Sequence, residues 1–119
     1  MKAVVAALSL SLAPALVLAQ VPEPYPSRAV TLVVNVAPGG GGDVLARLIG
    51  PKLAESMKQP FVVENKVGAS GVIGADFVAK SAPNGYTLLV VPNSYTISPA
   101  LYKNMPFDPV ADQIGRAHI

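Results

Sequence analysis

The order of apolar and polar residues along the chain predicts short strands separated by helices. Three apolar runs, Val30–Val36, Phe61–Glu64 and Tyr86–Val91, are predicted to be strands, and the β-branched composition of the first is typical of a buried parallel strand. Between them, apolar residues recur at helical spacing in two segments, 43–53 and 72–79. The order β-α-β-α-β is typical of an α/β fold, in which right-handed helical crossovers join the strands of a parallel sheet.

The first helix is expected to begin at Asp43, because aspartate is a favoured N-cap residue. Its apolar face would comprise Val44, Leu45, Leu48, Ile49 and Leu53. Gly50 and Pro51 interrupt this pattern. A proline inside a helix costs about 3 kcal/mol or forces a kink, so we expect the helix to break there.

The segments outside these elements are predicted to be irregular. Residues 20–29 contain three prolines and are expected to form an extended lead-in. The sequences Pro83-Asn84-Gly85 and Pro106-Phe107-Asp108-Pro109 favour turns. Thr96–Tyr102 is a candidate short helix.

The first residues of the chain have the pattern of an export signal. Lys2 supplies a positive start, Ala3–Leu18 an apolar core, and Val17–Ala19 a small-residue cleavage site before Gln20. We therefore expect residues 1–19 to be removed as a signal peptide, which places the protein in the periplasm. The alternative is a membrane anchor, but the apolar run is short for a span and no basic cluster follows it.

The composition excludes several classes of function. Nine Lys or Arg against seven Asp or Glu give a net charge of +2, too small for general attraction to nucleic acid. The chain has no cysteine, and its histidine is His118, so we expect no disulfide framework and neither a Ser-His-Asp nor a Cys-His catalytic site. The acidic residues do not recur at metal-ligand spacing, and we predict neither a metal nor a cofactor.

A stretch with almost no side chains, Pro38–Gly42, joins the first strand to the first helix. Its backbone N–H groups would lie at the positive end of a helix, which favours an anion. The stretch lacks the lysine of a P-loop and the third glycine of a dinucleotide fingerprint. Since Asp43 stands where a P-loop has lysine, a carboxylate is a better match than a phosphate. The alternative is a tight turn that only packs the helix on the sheet.

Two further polar loops are expected beside this stretch. Ligands of open parallel sheets bind beyond the carboxyl ends of the strands. The loops at those ends, Pro38–Gly42, Asn65–Gly71 and Asn93–Thr96, are rich in glycine, hydroxyl or amide groups. We therefore expect one carboxylate site built from all three loops. Tyr95 is either a stacking wall for the ligand or a surface aromatic.

Three consecutive segments carry a family pattern. They read PSRAVTLVVNVAPGGGGDVLARLIGPKLAE, QPFVVENKVGASGVIGADFVAKSAPNGYTLLVVPNS and ISPALYKNMPFDPV, and contain the motifs PGGxxD, VENxxG and APxGYTL. From about Tyr25 to Val110, the chain resembles Bug-type periplasmic solute-binding proteins, the substrate-binding components of tripartite tricarboxylate transporters. The resemblance implies a type II periplasmic-binding-protein fold with two lobes in a Venus-flytrap arrangement. A carboxylate would sit between the lobes and be delivered to a membrane permease.

Carried over by position, the resemblance implies a set of ligand-binding residues in the three loops. They are Pro38, Gly39, Gly40, Gly41, Gly42, Asp43, Ser70, Asn93, Ser94 and Thr96. Residues 30–110 would form part of the first lobe, and the second lobe is missing. One departure is Asn35-Val36, which stands where an aromatic-containing segment is common.

Residues 111–119 are interpreted as a truncated end. The peptide IGRAH at Ile114–His118 resembles a translated sequencing adapter, which indicates read-through over 114–119. A natural C-terminus is the alternative.

The leading hypothesis is a receptor, not an enzyme, that binds a small organic mono-, di- or tricarboxylate outside the cytoplasm. It would deliver this ligand to the permease subunits of a tripartite tricarboxylate transporter. The main alternative is a secreted nucleotide- or phosphate-dependent enzyme of doubly wound α/β fold. The third hypothesis is a small self-contained interaction domain.

Overall fold

The computed structural model describes residues 22–112. The predicted signal peptide, residues 1–19, and the predicted read-through segment, residues 114–119, lie outside the described residues. Across 22–112, no helix has both the length and the apolar character needed to cross a membrane.

Three parallel strands form a sheet in the order β2-β1-β3. The strands are β1 (Val30–Val34), β2 (Phe61–Asn65) and β3 (Thr87–Val90). In the register, Val30 lies opposite Phe61 and Thr31 lies opposite Thr87. Because β1 is paired on both sides, its β-branched side chains are the most buried, and Val30, Val33 and Val34 are fully buried.

Two longer helices and one short helix complete the fold. They are α1 (Gly41–Met57), α2 (Val72–Lys80) and α3 (Ser98–Leu101), with single 3₁₀ turns at Ala69–Gly71 and Asn93–Thr96. The element order confirms the predicted β-α-β-α-β pattern. The predicted short helix over 96–102 is confirmed as α3, and residues 22–29 contain neither helix nor strand.

The start of α1 differs from the prediction. The helix begins at Gly41, and its N-cap is Gly40 in an extended conformation (φ −68°, ψ 162°). Asp43 is therefore the third residue of the helix and not its N-cap. The reason is that the glycines need no side-chain cap to enter the helix, so the aspartate is free to bond elsewhere.

The middle of α1 also differs, because the predicted break at Gly50-Pro51 does not occur. The helix continues through Pro51 to Met57. Gly50 is buried against β2, where an added Cβ would lie 3.6 Å from the carbonyl oxygen of Phe61. This close packing of the helix on the sheet offsets the cost of the proline, an instance of tertiary context overriding propensity.

The predicted apolar face of α1 is largely exposed. Its side chains Val44, Leu45, Leu48 and Ile49 are 37–64% exposed. The buried residues of the helix are Asp43, Ala46 and Gly50. Small residues on this side let the helix backbone approach the sheet, so the larger apolar side chains point away from it.

The extended lead-in is anchored to the beginning of β3. The rings of Tyr25 and Tyr86 meet edge-on with centroids 5.2 Å apart, and the guanidinium of Arg28 lies 4.2 Å from the Tyr86 centroid. The backbone N–H of Ser27 donates to the Tyr86 hydroxyl at 2.9 Å. The lead-in is thus held at the opposite end of the sheet from the carboxyl ends of the strands.

The outer side of β3 is an open edge. The N–H of Thr31 donates to the carbonyl of Tyr86 at 2.8 Å, so the ladder turns the backbone groups of Thr87 and Leu89 away from β1. In the described part of the chain these groups have no hydrogen-bond partner. Strand edges of this kind need a neighbour for stability.

We predict that the chain is unstable as an isolated monomer, because it leaves sheet edges open and large apolar side chains exposed. Thermal unfolding of a monomeric fragment spanning residues 20–113, followed by far-ultraviolet circular dichroism, is expected to show a broad, non-cooperative loss of signal. A sharp cooperative transition would contradict this prediction.

Candidate functional site

A cavity lies beyond the carboxyl ends of the parallel strands. Its lining includes part of the second predicted loop, Asn65–Gly71, and the residues just before the other two loops, but no residue of Pro38–Gly42 or Asn93–Thr96. Its volume is about 500 Å³. The lining residues are Asn35, Val36, Ala37, Val67, Gly68, Ser70, Gly71 and Pro92. The cavity therefore lies where ligands of open parallel sheets bind.

The glycine loop, Pro38–Gly42, follows Ala37 of the cavity lining and presents free backbone donors. Gly39 has φ +84°, a conformation that favours glycine, and the N–H of Gly40 donates to the Ala37 carbonyl at 3.0 Å. The next two N–H groups, those of Gly41 and Gly42, have no acceptor among residues 22–112. They lie at the positive end of a 17-residue helix, which is the arrangement that binds anions.

Asp43 lies beneath this loop with its carboxylate turned into the protein. The residue is 3% exposed, and its Oδ2 accepts a hydrogen bond from the N–H of Gly39 at 2.9 Å. The Nε of Arg47 donates to both carboxylate oxygens, at 3.1 and 3.0 Å. The Nδ2 of Asn65 donates to Oδ1 at 2.9 Å. Because its donors come from the loop, from α1 and from β2, the carboxylate ties the loop to the helix and the sheet.

These bonds hold the pKa of Asp43 far below its ordinary value. The side-chain bond from Arg47 contributes most, followed by the Gly39 N–H and the Asn65 amide, and together they lower the pKa from 3.8 to about 2. Asp43 is therefore ionised throughout the physiological range.

Asn65 extends the network to the end of β1. Its Nδ2 also donates to the Val36 carbonyl at 3.1 Å, and its Oδ1 accepts from the Nη2 of Arg47 at 3.1 Å. The set Val36, Gly39, Asp43, Arg47 and Asn65, termed here the Asp43 network, connects β2, α1 and the glycine loop. Sequence reasoning missed Arg47 and Asn65, although the i,i+4 spacing of Asp43 and Arg47 on a helix was a usable signal.

A second buried polar residue, Asn35, connects β1 to the loop before α2. Its Nδ2 donates to the Gly71 carbonyl at 3.3 Å, while its Oδ1 is buried without a partner in the described residues. A Cβ added at Gly71 would lie 2.5 Å from the Nδ2 of Asn35, and a Cβ added at Gly74 would lie 2.8 Å from the Cβ of Asn35. The two glycines are therefore needed to admit this side chain.

Ser70, a predicted ligand residue, does line the cavity. It is exposed and has φ +55°, next to Ala69 with φ +46°. Two successive non-glycine residues in the left-handed region store strain, a feature that often accompanies binding sites. The structure thus brings Ser70 to the same cavity as the end of β1.

The third predicted loop, Asn93–Thr96, does not line this cavity. Pro92 reaches the cavity, whereas Asn93 and Thr96 form an exposed 3₁₀ turn closed by a bond from Thr96 Oγ1 to the Asn93 carbonyl at 2.7 Å. Tyr95 packs against the cluster of Ala75, Ala79 and Phe107. Its side chain therefore belongs to a small core and is neither wholly at the surface nor at the 500 Å³ cavity.

A larger cavity of about 710 Å³ runs along the open edge of β3. It is lined by Val78 of α2, by Ser81 directly after that helix and by Asp112, and also by Tyr95 and Thr96 of the third predicted loop. A helix carboxyl end and a carboxylate both disfavour an anion. We therefore assign the candidate carboxylate site to the smaller cavity, which is lined by Ala37, four residues before α1 begins.

The family is decided by comparison with known sequences. The profile of the tripartite tricarboxylate transporter family receptor matches residues 45–118. The chain belongs to this family. Protein BugT of Bordetella pertussis is 40% identical to it over 94 residues, which are 77% of this chain and 29% of BugT.

Solved structures of receptors agree with this assignment. The periplasmic binding protein BugD is 39% identical with a TM-score of 0.70, over 74% of this chain and 29% of BugD. MatC from Rhodopseudomonas palustris, solved with bound malate, is 36% identical with a TM-score of 0.64, over 74% of this chain and 30% of MatC. The described residues are therefore part of one lobe of a periplasmic-binding-protein fold. The chain spans about three tenths of the length of these relatives. We use the term complete receptor for a protein of their length that carries this chain at its amino end.

We predict that Asp43 makes the stability of the complete receptor sensitive to acid. A carboxyl group whose folded pKa is depressed contributes stability above its unfolded pKa, and this contribution is lost as the pH falls towards its folded pKa. For Asp43 the window lies between about pH 4 and pH 2. Urea unfolding at pH 6 and pH 2.5 should show a smaller loss of stability for Asp43→Asn than for the parent, with exposed Glu55→Gln as the control. Equal losses of stability in the parent and in Asp43→Asn would contradict the conclusion that Asp43 causes this sensitivity to acid.

Proposed function

We propose that this receptor binds a small organic carboxylate in the periplasm and delivers it to the permease subunits of a tripartite tricarboxylate transporter. The observation that carries the proposal is the pair of free N–H groups at Gly41 and Gly42, at the amino end of α1 and a few residues after Ala37, which lines the cavity. Malate bound to the related MatC supports a carboxylate as the class of ligand.

The backbone of Pro38–Gly42 would bind one carboxylate group of the ligand. Hydrogen bonds to a charged acceptor contribute roughly 1.5–3 kcal/mol each, and a helix amino end about 0.3–1 kcal/mol. Two such bonds and the helix end give useful affinity without an arginine in the cavity. Ser70 would donate its hydroxyl from the loop before α2, and Asp43 would act by holding the glycine loop in place.

The other predicted residues would contribute from the third loop. Asn93, Ser94 and Thr96 lie just beyond Pro92, which lines the cavity. We propose that they meet the part of the ligand that projects from the cavity. The opposite wall of the cleft would come from the second lobe of the complete receptor, which also selects among mono-, di- and tricarboxylates.

The proposal assigns no catalytic residue and no cofactor. The alternative of a nucleotide- or phosphate-dependent enzyme would require a cation to meet the phosphate, and the described lining of the cavity contains no lysine or arginine. A receptor function also agrees with the family to which the chain belongs.

The proposal predicts that substitutions at Gly41 separate ligand binding from folding. Gly41 is exposed, and an added Cβ there meets no atom within 4 Å. Aspartate is moreover favourable in the first turn of a helix. Gly41→Asp should therefore fold yet abolish carboxylate binding, because its charge repels the ligand and neutralises the helix end. Gly41→Ala should weaken binding less, by obstructing close approach of the backbone.

The assay is calorimetric titration of the complete receptor with a panel of di- and tricarboxylates. Lys80→Ala, an exposed substitution on α2, is the control and should bind as the parent does. If Gly41→Asp folds normally and binds as tightly as the parent, the glycine loop is only a tight turn and the ligand binds elsewhere.

The proposed location predicts cleavage of the export signal between Ala19 and Gln20. The small residues Val17 and Ala19 occupy the positions that signal peptidase requires. Mass spectrometry of the receptor isolated from the periplasm should find Gln20 as the first residue. An uncleaved amino terminus in that pool would refute the cleavage site.

A further inference from the structure

The charge of Asp43 poses a problem for an anion-binding loop. Its carboxylate bonds to the N–H of Gly39, a residue of the loop itself, and lies within one helical turn of the free donors at Gly41 and Gly42. The residue is almost fully buried, so water screens its charge poorly. An uncompensated carboxylate at this place would repel the ligand that the helix end attracts.

Arg47 is placed to cancel that charge. It lies one turn along α1, and its Nε contacts both oxygens of Asp43 within 3.1 Å. Among the described residues, no other cationic side chain contacts the Asp43 carboxylate. With the pair neutral, the helix end remains net positive towards the cavity.

The shape of the loop has other supports. Without Arg47, the carboxylate keeps its bonds from Gly39 and Asn65, and Asn65 keeps its bond to the Val36 carbonyl. Loss of Arg47 therefore removes one positive charge and leaves the loop tied at two points. This separates an electrostatic role of Arg47 from a structural one.

We infer that Arg47 is a positioning residue for carboxylate binding, which acts by neutralising Asp43 and does not itself touch the ligand. The inference rests on the proposed function of the glycine loop. It also implies a preference, because repulsion by a bare Asp43 grows with the charge of the ligand. Loss of Arg47 should therefore weaken the binding of a dianion more than the binding of a monoanion.

The test is a double-mutant cycle at Asp43 and Arg47 in the complete receptor, with malate as the dianion and lactate as the monoanion. Arg47→Met should weaken malate binding at least about tenfold and lactate binding less. Asp43→Asn keeps an amide oxygen that can still accept the N–H of Gly39, so the loop stays tied and this variant should bind malate at least as tightly as the parent. The double variant Asp43→Asn/Arg47→Met should recover malate affinity to within about threefold of the parent, although it lacks the ion pair.

Alpha helix α2 offers a matched control. Lys80 and Asp76 form an ion pair at the same i,i+4 spacing, at 2.8 Å, and neither residue lines the 500 Å³ cavity. Lys80→Met removes the same charge from an equivalent pair, so it should leave malate and lactate binding unchanged. Circular dichroism of each variant reports whether it folds.

The outcomes distinguish this inference from the proposed function. If the parent binds neither malate nor lactate nor any carboxylate of the panel, the proposed function and this inference both fail. If the parent binds and Arg47→Met binds equally well, the inference fails while the proposed function stands. If the double variant binds malate as weakly as Arg47→Met does, the inference also fails, because that result indicates a structural role for Arg47. If Arg47→Met does not fold, the inference is refuted when Asp43→Asn binds malate more weakly than the parent.

Discussion

The architecture of the site depends on one buried carboxylate, that of Asp43. It accepts hydrogen bonds from a loop N–H, from a guanidinium one helical turn away and from the amide of Asn65 at the end of β2. Burying an ion requires that it be fully paired, and these donors satisfy that requirement. Because they come from three different elements, satisfying the carboxylate also fixes those elements relative to one another. The glycine loop, which has no side chains to anchor it, takes its geometry from this constraint.

The parallel topology supplies the second constraint. With β1 between β2 and β3, the loops that follow all three strands meet at one edge of the sheet. A helix of 17 residues directs its amino end to that edge. In the proposed function, the main chain and not a cationic side chain would favour an anion. The glycine loop would then stay close to electrically neutral without a ligand.

Close packing beneath the cavity depends on glycine in a different way. Asn35 fits against the start of α2 because Gly71 and Gly74 leave room for it. Its amide bonds to the Gly71 carbonyl and joins the second loop to the end of β1. Its other oxygen is buried without a protein partner in the described residues, a state that costs roughly 1–3 kcal/mol unless water or a ligand group completes it. The cavity lining therefore carries an amide oxygen that a water molecule or, in the proposed function, a ligand group would satisfy.

The sequence by itself determined the element order, the parallel sheet and the family, and it located the glycine loop on which the proposed function rests. These properties are local, since β-branched runs, helical spacing and consecutive glycines act over a few residues. Tertiary structure decided that α1 begins at Gly41, that it runs through Pro51, and that it turns Ala46 towards the sheet. It also decided that Asp43 bonds to Asn65, 22 residues further along the chain. The physical reason is that a cap, a kink or a buried charge is settled by the free energy of the whole packed arrangement, and partners distant in sequence contribute most of that free energy.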